Sequence, residues 1–497
     1  MGYRFLHKSH KTRGCSYVSK GDRIMKIAFV VSEAVPYIKT GGLGDVAGTL
    51  PIYLNRLGFN TILVLPLYKK IKDKNLELEL VERGNVKLGE RTFPFSIYRN
   101  RKAQVYFIEN DEFFLRDSPY NTKEGDYPDN YIRFAFFSKA SLDFIVKRGD
   151  TDIIHVHDWQ TALLPVYKRL FYPDIKEKVV LTIHNIGYQG IFSKDVLKEI
   201  SLPPSLFTID GLEFYGNVNY LKGGILFSDC VTTVSPSYAK EIQTKEYGFG
   251  LEGVLRKIRN KLYGILNGID YSYWNPEIDK FIKVNYGKEN LHKKSENKLL
   301  LFKELNIDFD PSLPLFSIIS RLVPQKGIDI LIEGFDDIMK LPLNFVLLGT
   351  GDREFEEKLM SLGEKYRNKF IPLIKFDESL AHRIYAASDF FLMPSKFEPC
   401  GLGQMIALRY GTVPVVRRTG GLKDTIQNYH EKTKCGNGIS FDEYDSFELV
   451  RSVERGVKIF KDRDVYERIQ KIGMSCDYSW DSSAKEYLNL YRRLKEE

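Results

Sequence analysis

Short apolar runs that alternate with helical patterns constrain the fold of this 497-residue chain more than any other feature. Runs of this length, rich in β-branched and aromatic residues, are typical of strands buried on both faces of a parallel sheet. Alternation with helices predicts an α/β fold, and because the rhythm occurs twice we predict two doubly wound, Rossmann-like domains. The predicted strands are 26–31, 60–65, 104–108, 152–156, 179–183, 230–234 and 262–266 in the first set and 315–319, 345–348, 370–374, 390–393 and 413–416 in the second. The stretch 77–101 breaks the rhythm and predicts a β-hairpin insertion.

Turn chemistry after residue 266 separates the two sets of strands. The sequence NGID at 267–270 opens a polar, charged segment that extends to about residue 300. We therefore predict domains over 25–266 and 267–479, with a hinge where they join. The helical tail, 480–497, is predicted to return to the first domain. Ligands of open α/β sheets bind beyond the carboxyl ends of the strands, so the expected site is the central cleft that the two domains face.

The positive charge of the chain is concentrated at its start. The net charge is +8, but residues 1–24 hold six Lys/Arg and one Asp, which leaves about +3 for the rest. That remainder is too small to indicate nucleic-acid binding. The basic leader, 1–24, has no apolar segment of a secretory signal and is predicted to be disordered, with Met25 as a candidate native start.

No apolar run approaches the roughly 20 residues of a membrane span, so we expect no membrane association. The five cysteines are scattered without the spacing of a metal site. This pattern favours a reducing, cytoplasmic location over a disulfide framework.

A phrase with two adjacent glycines occurs twice, as KTGGLGD at 39–45 and RTGGLKD at 418–424. A glycine pair before a helix allows a tight turn and presents backbone N–H groups to an anion. The first copy follows the first strand and places Asp45 in the first helical turn, which predicts a substrate-binding βα unit. Two such turns suggest two halves that face one ligand, although the second copy fits an ordinary strand-to-helix turn equally well.

Two bases follow the strand at 315–319. Arg321 and Lys326 lead into a helix predicted over 328–340. A planar guanidinium and a compact ammonium group at a helix N-terminus suit a diphosphate. We interpret the pair as a clamp for a leaving group.

A carboxylate follows the strand at 390–393. Glu398 precedes Pro399 and two glycines, which predict a tight turn that aims the carboxylate into the cleft. The alternative is an ordinary helix-capping carboxylate.

Histidines end two strands of the first set. His184 lies beside Asn185, a pair that suits recognition of a hydroxyl group or polarisation of a carbonyl. The HVHDW sequence at 155–159 ends another strand, and its H-x-H spacing could suggest a metal, but no third ligand lies nearby in the sequence. The pair Asp308 and Asp310 precedes a strand instead of ending one, which favours a loop and metal-independent chemistry.

Together these phrases resemble the bacterial glycogen synthase and plant starch synthase family, retaining glucosyltransferases of the GT-B fold. The resemblance runs from Met25 through the tail and leaves 1–24 without a counterpart. The matching phrases are KTGGLGD at 39–45, HDW at 157–159, TIHNI at 182–186, YQG at 188–190, FGL at 249–251, LNGID at 266–270, SRL at 320–322, QKG at 325–327, EPCGL at 398–402 and GGLKD at 420–424.

The resemblance implies transfer of glucose from ADP-glucose to the non-reducing 4-hydroxyl of an α-1,4-glucan, without a metal or other cofactor. It makes 25–266 the acceptor and catalytic domain and 267–479 the nucleotide-sugar domain. The implied catalytic residues are His184 near the glucose 6-hydroxyl, Glu398 near its 3-hydroxyl, Arg321 and Lys326 at the diphosphate, and Asp158 at the sugar. The implied donor-binding residues are Lys39, Gly41 and Gly42 at the phosphates, Phe376 beside the adenine, and Asn267, Gln325, Cys400, Gly401 and Leu402. The implied acceptor residues are Asp45 and Trp159, the latter as a stacking platform.

Two departures and three alternatives accompany the resemblance. Many related GT-B transferases have a second glutamate where this chain has Ile406, and Gln160 replaces a histidine that some members carry. The alternatives are a UDP-glucose-dependent transferase, a sucrose-type transferase, and a catalytically silent glucan-binding protein. The silent protein would be expected to lack the charged clamp that this chain retains.

Overall fold

The computed structural model describes residues 24–496 as two α/β domains. The predicted basic leader therefore lies outside the described residues, apart from Ile24. The strands of the first domain are β1 (Lys26–Val30), β2 (Asn60–Pro66), β3 (Leu78–Leu88), β4 (Arg91–Asn100), β5 (Val105–Glu109), β6 (Ile153–His157), β7 (Lys178–Ile183), β8 (Ile191–Ser193), β9 (Glu213–Phe214), β10 (Asn217–Asn219), β11 (Cys230–Thr233) and β12 (Leu262–Gly264).

Nine of these strands form one sheet in the order β12-β11-β7-β6-β1-β2-β5-β4-β3. The β3–β4 hairpin is antiparallel, as predicted for 77–101, and β4 joins β5 antiparallel, while the remaining pairs are parallel. The chain reverses its direction of progress between β1 and β6, which is the topological switch point of a doubly wound sheet. Strands β8, β10 and β9 form a separate small sheet.

Helices cover both faces of the main sheet of the first domain. They are α1 (Gly42–Arg56), α2 (Lys69–Lys72), α3 (Asp111–Phe114), α4 (Asn130–Arg148), α5 (Asp158–Thr161), α6 (Leu163–Phe171), α7 (Val196–Glu199), α8 (Tyr220–Phe227), α9 (Pro236–Glu241) and α10 (Glu252–Lys257), with 3₁₀ turns at Pro204–Leu206 and Arg259–Lys261.

The second domain has a six-stranded parallel sheet in the order β15-β14-β13-β16-β17-β18, formed by β13 (Leu315–Ile319), β14 (Asn344–Gly349), β15 (Phe370–Ile374), β16 (Phe390–Met393), β17 (Val413–Arg417) and β18 (Ile439–Phe441). This is the 3-2-1-4-5-6 order of a Rossmann sheet, with its switch point between β13 and β16. The two-domain α/β prediction is confirmed.

The helices after residue 287 complete the second domain and the tail. They are α11 (Lys294–Glu304), α12 (Ile328–Lys340), α13 (Arg353–Lys365), α14 (Glu378–Ala387), α15 (Gly403–Arg409), α16 (Gly420–Thr425), α17 (Ser446–Lys461), α18 (Arg463–Ser475) and α19 (Trp480–Glu496), with 3₁₀ turns at Lys288–Lys293 and Pro324–Lys326. Helix α12 has the bounds predicted from sequence. Within residues 24–496, no helix is both long and apolar enough to cross a membrane.

The chain passes between the domains twice, and the two crossings are hydrogen-bonded to each other. The Ile269 amide donates to the Tyr478 carbonyl at 2.8 Å, and Trp480 donates back to Ile269 at 3.3 Å. Helix α19 then packs on α1, and the Tyr491 hydroxyl lies 2.7 Å from His155 Nδ1. The two crossings therefore run side by side at Ile269.

Candidate active site

The carboxyl ends of the two sheets meet, and most of the predicted site residues lie where they do. The Ser235 hydroxyl, just beyond β11, donates to the Pro399 carbonyl beyond β16 at 2.6 Å. The rings of Phe249 and Phe397 pack edge to face across the same junction with centroids 5.6 Å apart. The carboxyl ends of the two sheets therefore face each other across one interdomain cleft.

The first glycine turn leaves the start of α1 open. Gly41 is the N-cap residue, in extended backbone conformation, and no side chain caps the helix. A methyl group at Gly42 would have no neighbour within 4 Å, so the space before the turn is free. A 15-residue helix with uncapped N–H groups facing free space is suited to a phosphate group.

Carboxylates surround this turn. Lys39 pairs with Asp45 at 2.8 Å, and buried Glu33 accepts a hydrogen bond from the Thr40 amide. Burial raises the pKa of both carboxyl groups, and Lys39 partly offsets the rise at Asp45. Sequence reasoning missed Glu33; its signal was an isolated acid immediately after an apolar strand.

Asp158, the first residue after β6, is hydrogen-bonded to the first residue after β7. Its Oδ1 accepts the backbone N–H of His184 at 2.7 Å. Its φ of 52° is unusual for a residue other than glycine, and such strain is frequent at functional sites. The structure thus brings two predicted catalytic residues into direct contact.

Three imidazole rings stack behind that contact, of which those of His155 and His157 are buried and that of His184 is partly exposed. The ring centroids of His155 and His157 are 4.3 Å apart, and His157 Nδ1 lies 3.0 Å from His184 Nε2. Burial lowers the pKa of His184 to about 3 and raises the pKa of Asp158 to about 7. His184 is therefore a neutral hydrogen-bonding group at pH 7, and His157 is the partner that sequence reasoning did not assign to it.

The structure corrects the prediction that Trp159 is an acceptor platform. Its side chain is 8% exposed and packs against Phe134, Phe192 and Tyr220. A methyl group at Gly190 would lie 2.5 Å from the indole, so that face is also covered. The apolar neighbours make Trp159 part of the core beneath the cleft, with no free face for a sugar.

On the second domain, Lys326 and Glu398 form a close ion pair. Lys326 Nζ lies 2.6 Å from Glu398 Oε2, and the Ser395 hydroxyl donates to the same oxygen at 3.0 Å. The side chains of Lys326 and Glu398 are 18% and 6% exposed, so the pair is largely desolvated. The prediction assigned them to different parts of a ligand, whereas the structure shows that they also fix each other.

The remaining residues predicted for the nucleotide follow strands of the second domain, and two of them are exposed. Arg321 is exposed just beyond β13, and Phe376 is 84% exposed beyond β15. The side-chain amide of Gln325 donates to the Phe397 carbonyl at 3.3 Å. Gln325 therefore braces the turn that carries Glu398.

That turn is held tightly. Burial raises the pKa of the Cys400 thiol to about 12, so it stays protonated. Gly401 adopts a φ of 72°. Gln404, two residues after Leu402, donates from its Nε2 back to the Cys400 carbonyl at 3.0 Å. The Asn267 Oδ1 atom is buried here without a hydrogen-bond partner among the described residues. An open buried acceptor of this kind suits a ligand hydroxyl.

The second glycine phrase does not form a second ligand turn, which corrects that hypothesis. A methyl group at Gly420 would lie 1.9 Å from the Glu398 carbonyl oxygen, and one at Gly421 would lie 2.0 Å from that of Cys400. The Gly420 amide already donates to Glu241 Oε1 at 2.8 Å. This phrase lets α16 pack closely behind the Glu398 turn and links it to the first domain.

The aspartate pair considered for a metal lies in the loop before β13, where Asp310 accepts the Ser312 amide at 2.8 Å. Of the histidines with H-x-H spacing, His155 lies 2.6 Å from the Thr182 hydroxyl. Residues 24–496 contain no group of three or more His, Cys, Asp or Glu side chains that could hold a metal ion.

Comparisons with known proteins agree with this geometry. A family model described as the starch synthase catalytic domain matches residues 26–257, and one described as glycosyl transferases group 1 matches residues 303–473. The chain is 46% identical to the glycogen synthase of Fervidobacterium nodosum, over 95% of this chain and 99% of that protein. It is 47% identical to the glycogen synthase of Pseudothermotoga lettingae, over 94% and 98% of the respective chains.

Solved structures give the same result. The catalytic domain of starch synthase IV from Arabidopsis thaliana, bound to ADP and acarbose, has a TM-score of 0.88 and 35% identity, covering 96% of this chain and 100% of that one. Sucrose-phosphate synthase from Thermosynechococcus elongatus, at 16% identity over 95% and 99% of the respective chains, has a TM-score of 0.60 and supports the fold alone. The chain belongs to the glycogen synthase and starch synthase family of GT-B glucosyltransferases.

Proposed function

We propose that this chain is a glycogen synthase, which transfers glucose from ADP-glucose to the non-reducing 4-hydroxyl of an α-1,4-glucan with retention of configuration. The observation that carries the proposal is that the carboxyl ends of the two sheets face each other. One presents the open start of α1, and the other presents Lys326 paired with Glu398.

The donor diphosphate would lie between these two features. The N–H groups of Gly42 and its neighbours, with Lys39, would hold it from the first domain, and Arg321 and Lys326 from the second. The exposed ring of Phe376 would cover the adenine. Since the ligand contacts both domains, we expect its binding to draw them together about the crossing at Ile269.

The transferred glucose would be held by groups that are already fixed in place. Glu398 would accept from its 3-hydroxyl and neutral His184 would bind near its 6-hydroxyl. The open Oδ1 of Asn267 would accept another sugar hydroxyl. Asp45 and Asp158 would face the acceptor end of the glucan, whereas Trp159 belongs to the core.

The chemistry we favour is a displacement on one face of the sugar. The bond from the anomeric carbon to the diphosphate oxygen breaks, the acceptor 4-oxygen bonds to the same carbon, and the hydroxyl proton passes to the departing diphosphate. Lys326 and Arg321 stabilise the charge that grows on the leaving group. The alternative mechanism runs through a covalent enzyme intermediate and needs a nucleophilic carboxylate beneath the anomeric carbon. We assign that role to none of the predicted site residues.

We also propose that the reaction needs no metal, because two basic side chains and a helix N-terminus supply the positive charge that a cation would. A cytoplasmic location accompanies the proposal. Among the described residues, Cys400, Cys435 and Cys476 are free thiols, which fits a reducing compartment.

Donor competition tests the proposal. Glycogen is incubated with labelled ADP-glucose or UDP-glucose, each with and without EDTA, and incorporation into polymer is measured. We expect ADP-glucose to be preferred and EDTA to have no effect. A preference for UDP-glucose would contradict the proposed donor. Activity that EDTA abolishes and Mg²⁺ restores would contradict the proposed metal-independent mechanism.

A further inference from the structure

Two exposed aromatic residues occupy strained turns beside the cleft. Tyr215 and Gly216 join β9 to β10 as a two-residue hairpin turn, with φ values of 49° and 83°. Phe249 and Gly250 have φ values of 49° and 84°, and the Leu251 amide donates across them to the Gly248 carbonyl at 2.8 Å. Both are turns of type I′, in which both central residues have positive φ.

A bulky aromatic residue is an unfavourable choice for the first position of such a turn. Asn, Asp and Gly are preferred there, because a positive φ brings the Cβ atom of other residues against the backbone. Tyr215 and Phe249 nevertheless point outward, with 79% and 44% of their surface exposed. Since core packing does not account for rings that are this exposed, the strain indicates a role in binding.

The aromatic rings form a continuous track that leads away from the reaction centre. Phe397 directly precedes Glu398, and its ring packs on Phe249 at 5.6 Å. The rings of Phe214 and Tyr215 lie against Gly250, where a methyl group would meet them at 2.9 and 3.2 Å. The track therefore runs from the residue beside Glu398 through Phe249 to Tyr215 at its outer end.

Buried hydrogen bonds fix the position of this track relative to the candidate active site. Gln189 Nε2 donates to the Phe249 carbonyl at 3.1 Å and to the Ile186 carbonyl at 3.0 Å. The Asn219 side chain at the end of β10 donates to Gln189 Oε1 at 2.6 Å. One buried glutamine thus joins the Phe249 turn to the loop after His184 and to the strand that follows Tyr215.

We propose that Phe249 and Tyr215 form the binding track for the acceptor glucan, with Phe249 nearer the reacting end and Tyr215 several sugars away. The apolar faces of successive pyranose rings would stack on exposed aromatic rings, which bury apolar area at low entropic cost. The inference rests on the proposed function, since the occupant is the glucan acceptor. It assigns to these two residues the role that the buried Trp159 does not have.

The test uses Tyr215→Asn and Phe249→Asn, because asparagine fits the first position of a type I′ turn and preserves the fold. Each variant should have an unchanged or higher Tm. Tyr215→Asn should raise KM for glycogen and for long malto-oligosaccharides about three- to tenfold, the effect of one lost ring face, while KM for maltose changes less than twofold. Phe249→Asn should raise KM for long and short acceptors alike, and KM for ADP-glucose should be unchanged in both variants.

Phe447→Asn is the matched control, since it removes a ring that is 65% exposed on α17, outside the track. It should leave every acceptor constant unchanged. Equal glycogen KM values in wild type and Tyr215→Asn, with normal activity in both, would overturn the track and leave the proposed function intact. Absence of any glucose transfer by the wild type would instead refute the proposed function. Self-association of the wild type that Tyr215→Asn abolishes would reassign the rings to a contact between chains.

Discussion

The two glycine phrases are nearly identical in sequence, but the space around them in the fold differs. At Gly42 the space outside the turn is empty, and α1 begins without a capping side chain. At Gly421 a backbone carbonyl occupies that space, and the neighbouring Gly420 amide is already bonded to Glu241. Of the two turns, only the first therefore has room for a ligand.

The strand ends at the two switch points also differ, in the charge of the side chains that they carry. In the first domain, burial leaves His184 neutral and favours protonation of Asp158. In the second domain, the basic groups Arg321 and Lys326 lie at the strand end, and Lys326 is paired with a carboxylate. Apart from the open start of α1, the first side is therefore suited to hold a sugar through hydrogen bonds, whereas the basic pair of the second side is suited to stabilise a charged leaving group.

The largest effect is expected from adding a methyl group to each glycine turn. Gly421→Ala should destabilise the protein by about 4 kcal/mol or more, because the new Cβ would meet a carbonyl oxygen. Gly42→Ala should change stability by less than about 0.5 kcal/mol but lower turnover about tenfold to 100-fold, because the methyl group enters the proposed phosphate site. Thermal unfolding and turnover with glycogen measure both. If both variants lowered the stability equally, the two glycine turns would not differ in the free space around them.

Substitutions at the ion pair separate charge stabilisation from sugar binding. Lys326→Ala should lower turnover roughly 100-fold or more, because it removes charge stabilisation at the leaving group. Glu398→Gln should also lower turnover, yet leave ADP affinity nearly unchanged, because ADP has no glucose to contact. Calorimetric titration with ADP provides the binding measurement.

The double variant controls for stability. Lys326→Ala alone leaves the buried carboxylate of Glu398 without its cation, which is destabilising. Adding Glu398→Gln should recover the Tm without recovering turnover. If ADP affinity fell as far in Glu398→Gln as in Lys326→Ala, Glu398 would have to be reassigned to the nucleotide or the fold.

A smaller effect should appear in the pH dependence of stability. Asp158 has a folded pKa of about 7, above its ordinary value of 3.8. The folded state therefore holds a proton that the unfolded state releases, and the wild type loses stability as pH rises from about 4 to about 7. Asp158→Asn lacks this titration but can still accept the His184 N–H. Its stability relative to wild type should therefore rise by on the order of 1–3 kcal/mol between pH 4 and pH 8. Parallel unfolding profiles over that range would show that Asp158 is ionised throughout.

Sequence reasoning located the parts of the fold that depend on local pattern. The strand ends that carry Asp158, His184, Arg321 and Glu398 were predictable because apolar periodicity marks each strand, and α/β sheets bind ligands at those ends. The β3–β4 hairpin was visible as a break in the same rhythm.

Contacts between distant segments were not predictable in this way. Lys326 and Glu398 are 72 residues apart, and Glu241 is 179 residues from Gly420. The burial of Trp159 was missed for the same reason, since Phe192 and Tyr220 reach it from the small sheet and from α8. A strand-end tryptophan has the same local pattern whether it faces the cleft or the core.

A crystal structure of the ADP complex would show which of the two glycine turns holds the phosphate. We predict that oxygens of the terminal phosphate lie within hydrogen-bond distance, about 3 Å, of the amides of Gly42 and Leu43 and of Lys326 Nζ. We also predict that the Gly420 amide remains bonded to Glu241. A phosphate bound at Gly420 and Gly421, with the first turn left empty, would refute the assignment of the phosphate to the start of α1.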